Sequence, residues 1–221
     1  MFRDAALVAG KDLRIEARSR VATNQVAPLA VVMLVVFAFA LDPDRGVLDR
    51  ASAGLFWVAV MFAAILAVQR SVAVETPATR DGLRLSGLDT GGIFLGKVIA
   101  IAVQLLGVEA MLSAGIVVLY GASLSSPIIL VATCALATVC LAAAGALYGV
   151  LSGGAGVRET LLPLLLVPVA APVVLAATKA WEAGIAGATL DAWPWLRLLA
   201  VLAVVEVAAG IVGYGSLLEE S

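Results

Sequence analysis

Gly91, Gly96 and Lys97 match G-x-x-x-x-G-K, the opening of a phosphate-binding loop. The match stops at Val98, which stands where a Ser or Thr would hold magnesium, and an apolar run follows. No nucleotide site is expected here, so any ATP must be bound by another chain, and Lys97 is expected to snorkel to the inner membrane surface. Glu109 and Glu206 are carboxylates inside apolar runs, with Gln104 close in sequence to the first. Such groups can carry protons, bind substrate or gate a path, or they can be held by a buried hydrogen bond or reach headgroups from a span end. Cys134 and Cys140 lie six residues apart, about 120° around a helix, which disfavours a disulfide or a shared ligand site and suits buried structural thiols. The chain has no His, which removes the commonest metal ligand, general base and haem axial ligand together.

These groups sit in a chain of 221 residues that is 62% hydrophobic and 14% charged, with a mean hydropathy of +1.09. Long apolar runs in such a composition predict an all-α polytopic membrane protein in one domain, residues 1–221. A net charge of −2 gives no reason to expect nucleic acid as a partner.

Six apolar runs, residues 21–41, 51–68, 98–120, 127–151, 161–178 and 198–218, are each near the length that spans a bilayer. The first is softened by Thr23, Asn24, Gln25 and Pro28. In residues 1–20, Phe2, Ala6, Ala9, Leu13 and Ala17 form an apolar stripe apart from Lys11, Arg14 and Arg18, which predicts an interfacial helix lying on membrane lipid.

The long polar stretch, residues 69–97, carries Arg70, Arg80, Arg84 and Lys97 against Glu75, Asp81 and Asp89, and must lie outside the hydrocarbon. Thr76-Pro77 reads as a helix start and Gly87 as its stop, and a second start at Asp89-Thr90 leads into the third span. A short helix tied to a transmembrane helix can transmit a push. Arg70, Glu75, Arg80, Asp81, Arg84 and Asp89 are accordingly the candidate ATPase-coupling residues, with a passive interfacial helix as the alternative.

With the N-terminus inside, Arg3, Lys11, Arg14, Arg18, Arg20, Arg70, Arg80, Arg84, Lys97 and Arg158 fall on the inner side, against Arg45, Arg50, Lys179 and Arg197 outside. The positive-inside rule thus places both termini and residues 69–97 in the cytoplasm. Pro163, Pro168 and Pro172 predict a kinked or locally opened fifth span, and Pro168 and Pro172 join Glu109 and Glu206 as transport-path or gating candidates. Residues 179–197, with Trp181, Trp193 and Trp195, read as an outer-face segment and aromatic belt, with a short re-entrant segment as its variant. Gly145, Gly149 and Gly153 are spaced for close helix packing, within the bundle or across a dimer.

KDLRIEARSR (residues 11–20), AGLFWVAVMFAAILAVQRS (53–71), DGLRLSGLDTGGIFLGK (81–97) and RETLLPLLLVPVAAPVV (158–174) resemble the CcmB family, the haem exporter protein B permease subunit of cytochrome c maturation. The segments follow the family's order over nearly the whole chain. The resemblance implies an ABC-2-like permease with six transmembrane helices in the bacterial inner membrane, working as a homodimer with two copies of an ABC ATPase subunit. It implies further partners: a haem-handling CcmC-type membrane subunit, a small CcmD-type subunit and a periplasmic haem chaperone released by ATP hydrolysis. No catalytic residue, metal or resident cofactor of this chain is implied. Haem is the candidate substrate, ATP acts through the partner subunit, and any haem contact would be hydrophobic or use a ligand other than His. The alternatives are an ABC-2-type permease for lipid or drug export, and a non-transporting scaffold of the haem-handling machinery.

Overall fold

In a computed structural model the chain is described at every residue except 21, 42–44, 74–81, 83–86, 153–157 and 221, and the described residues contain helices and no strand. Helix α1 is Phe2–Ser19; a π-helical turn, Ala22–Val26, leads into α2, Ala27–Ala40. Then come α3 (Arg45–Ala73), α4 (Thr90–Tyr120), α5 (Pro127–Leu151), α6 (Arg158–Ile185) and α7 (Thr189–Glu220). Helices α3 to α7 are each long and apolar enough to cross a membrane. The first expected span falls on Asn24–Ala40, which reaches the length of a sixth span only together with Phe2–Ser19, from which it is bent by 54°. Its early polar residues, which softened the run, form the π turn.

Contacts between helix ends define two ends of the bundle. At one end the last turns of α3 and α5 meet the first turns of α4, with Val68 and Val72 lying against Gly145 and Gly149. At the other, the backbone N–H of Ser126 donates to Gly184 O (3.1 Å), joining the start of α5 to the end of α6. Between lipid tails there is no hydrophobic drive to hold helices together, so close packing of small residues must do it. A Cβ on Gly145 would lie 2.3 Å from Val68 Cγ2, so the glycine spacing serves α3–α5 contact inside the bundle. Gly153 lies outside the described residues.

The starts and stops follow local rules. The Asp89 side chain caps α4, and Gly121 ends it at φ +67. Gly87 has φ +67, as a helix stop requires, although the short helix expected before it lies outside the described residues.

Two expectations change. Residues 179–197 are no separate segment: Lys179 to Ile185 finish α6, a three-residue turn follows, and α7 starts at Thr189. Their small residues and Ala-rich spacing sustain helix where the charges suggested an end. Trp181 is no belt residue; it is 1% exposed and stacks on Phe56 (centroids 4.3 Å), with Trp57 edge-on to both. Pro163, Pro168 and Pro172 all lie inside α6, which is helical from Arg158 to Ile185, so the span is not interrupted at the prolines and a bend there stays an expectation. Only the carbonyls four residues upstream lose a donor, and neighbouring groups in a bundle can accommodate that.

Helix α1 is also placed differently. Ala5, Val8 and Ala9 are buried, and α1 packs along the first two turns of α4. Gly92 and Gly96 make the groove: a Cβ on Gly96 would meet Val8 Cβ at 2.6 Å and Ala5 O at 2.8 Å. The docked face therefore sits beside the expected apolar stripe, and Phe2, Ala6 and Ala17 of that stripe remain exposed.

Candidate functional site: a polar joint and two buried carboxylates

The polar joint lies at the end of the bundle that holds α1. Asp89 Oδ2 accepts from Gly92 N–H (2.8 Å), while the Asp89 backbone N–H donates to Asp4 Oδ2 (3.4 Å), so one residue caps α4 and ties it to α1. The hydrogen bond from the Met1 ammonium to Asp4 Oδ2 (3.3 Å) holds the Asp4 carboxyl below its ordinary range. Arg70, in the last turn of α3, donates from Nη2 to Gln25 Oε1 of the π turn. It lines a cleft of about 770 Å³ with Leu66, Gln69, Ser152 and Leu162. Arg70 and Asp89 thus reach the same end of the bundle. Glu75, Arg80, Asp81 and Arg84, the other coupling candidates, lie outside the described residues.

Lys97 does not snorkel; it is 5% exposed. Helix α4 starts at Thr90 rather than 98, so Lys97 lies about 10 Å into the helix. There it faces Val68 and Val72 of α3 and the space left by Gly145 and Gly149.

The carboxylates lie deeper. Glu109 is 2% exposed and sits about 16 Å from the Tyr120 end of α4, close to mid-bilayer for a hydrocarbon core of about 30 Å. Thr138 Oγ1 of α5 donates to Glu109 Oε1 (2.5 Å), and the Glu109 backbone carbonyl accepts from Ser113 Oγ (2.7 Å). Glu109 Oε2 is buried with no hydrogen-bond partner. Cys134, one turn before Thr138, lies beside the carboxyl. An ionised carboxylate here would carry a cost of roughly 2.5–3.5 kcal/mol on insertion scales.

Glu206 of α7 is half-buried, and its Oε2 also lacks a hydrogen-bond partner. It faces α5 near Cys140, whose Sγ donates to Leu199 O (3.5 Å). Thr138 and Cys140 are two residues apart, so they project from nearly opposite sides of α5, and the two carboxylates are kept apart by that helix. Pro168 and Pro172 are exposed on the outer surface of α6 and join neither.

The Thr138 partner of Glu109, the Gln25 partner of Arg70 and the Asp4–Asp89 joint were not readable from sequence. The available signal was Cys134 and Thr138, two polar residues one turn apart in the apolar run 127–151.

No group of three or more Cys, Asp or Glu among the described residues is arranged to hold a metal ion. The arrangement is suited to transmitting movement from one end of a bundle and to holding polar groups within it. A family model described as CcmB protein matches residues 4–218, and no curated protein matches the chain.

Proposed function

The chain belongs to the CcmB protein family, and from that premise we propose that it is the permease subunit of an ABC transporter serving cytochrome c maturation, without ATPase chemistry of its own. The observation that carries the reading is the Asp89 joint. The polar stretch offered to an ATPase contains Asp89, the residue that caps α4 and meets α1, so a push on that stretch has a rigid path into the bundle. ATP hydrolysis by two separate ATPase subunits would then drive movement of a homodimer, in company with haem-handling CcmC-type and small CcmD-type subunits. The output is haem supply to c-type cytochromes through a periplasmic haem chaperone. Glu109 and Glu206 are the groups within the spans that such movement would expose, and Pro168 and Pro172 the places where α6 would yield.

Deleting the chain should abolish holocytochrome c, and the tagged chain purified in mild detergent should bring an ATPase with it. Maturation that survives when that ATPase is made catalytically dead would favour a scaffold. Co-purification of the ATPase with undiminished cytochrome c in the deletion strain would favour a permease for lipid or drug export.

The Lys and Arg distribution supports a topology with both termini in the cytoplasm. A cysteine introduced at Ala78 should then escape membrane-impermeant thiol reagents in intact cells, and one at Ala188, in the turn before α7, should react. The opposite pattern would invert the topology.

A further inference from the structure

We propose that Glu109 is a proton-binding site: in the closed bundle its carboxyl is held as the neutral acid between α4 and α5. This does not depend on the transporter reading. The group is 2% exposed, one oxygen meets the Thr138 hydroxyl, and the other is buried without a partner. No cation acts on it: among the described residues the groups that bond its carboxyl are the Thr138 hydroxyl and the Cys134 thiol, both neutral donors, and Oε2 is left without a partner. Lys97, on the same helix, is twelve residues away, about 18 Å. Glu206 faces the other side of α5.

A buried carboxylate keeps its charge only when paired or fully hydrogen-bonded, and otherwise it takes up a proton. Thr138 can satisfy either form. Its hydroxyl can donate to the carbonyl oxygen of the acid, or accept the acid proton while donating to the carbonyl of Cys134, one turn back in its own helix. No other fold change is needed for the proton to stay. It can leave only when the α4–α5 seam admits water.

Infrared difference spectra between the wild-type complex and Glu109→Gln, in the same lipid at neutral pH, test this. The band lost should be the C=O stretch of a protonated carboxylic acid, shifted in Thr138→Val because the hydroxyl no longer bonds to it. Loss of an ionised carboxylate stretch instead would overturn the proposal. Should Glu109→Gln fail to assemble, the wild-type complex can be treated with dicyclohexylcarbodiimide, an apolar reagent that adds the acid O–H across its C=N bond to give an O-acylisourea, whose acyl group then shifts from O to N to leave a stable N-acylurea. An adduct mapped to Glu109 supports a protonated carboxyl in an apolar site. Absence of that adduct, or its equal formation with a water-soluble carbodiimide, refutes it.

Discussion

Gly96→Leu should detach α1 from α4 and take cytochrome maturation with it. The first carbon of the new side chain would already lie 2.6 Å from Val8 Cβ and 2.8 Å from Ala5 O, and a backbone oxygen cannot swing aside as a flexible side-chain end can. Overpacking at such a contact costs up to about 3 kcal/mol, roughly a hundredfold shift toward the undocked state. Val8→Cys reports the event, because Val8 is 3% exposed while docked. Its thiol should be shielded from a soluble reagent in an otherwise wild-type chain and should label once Gly96→Leu is added. Continued shielding together with normal holocytochrome c would mean that α1 docking is neither disrupted nor required. Since the five long spans do not depend on this groove, membrane abundance should change little.

Arg80→Glu combined with Arg84→Glu should release the ATPase subunit, or leave it bound but uncoupled, while the chain still inserts. The two arginines are four residues apart, so on the short helix expected there they share one face and can meet carboxylates on a partner. An interfacial charge left unpaired costs about 2 kcal/mol or more, near thirtyfold in affinity. Were the pair bound only to lipid headgroups, the double variant would insert less well but keep its ATPase. ATPase co-purification normalised to membrane abundance separates the cases, and full retention with normal maturation would end the coupling-helix reading.

The spans were legible because insertion into lipid demands long apolar runs, and Pro127–Leu151 matches its helix to the residue. So was the start of α4, since Asp89-Thr90 is a local cap. What stayed hidden depends on contacts between distant segments. Periodicity in residues 1–20 marks an apolar stripe, but the face that docks is chosen by a groove at Gly92 and Gly96, in another helix. Lys97 looked like an interfacial cation because the apolar run begins after it; the cap at Asp89 carries the helix further out and draws Lys97 inside. Trp181 followed composition into a belt, whereas the ring of Phe56 pulls it into the interior. Glu109 stood out as a carboxylate in an apolar run, yet its hydroxyl partner comes from a helix 29 residues along.

The three-residue turn between α6 and α7 bears on how the chain is made. So short a connection leaves little room for the two helices to separate after synthesis, so they should leave the ribosome and enter the bilayer as one hairpin. Three prolines have cost α6 part of its backbone hydrogen bonding, and a lone helix meeting lipid would have those carbonyls bare. Arriving together with α7, it has packing surface available from the outset. Lengthening the turn at Ala186 to Ala188 should therefore lower the yield of inserted protein more than the activity of the molecules that do assemble.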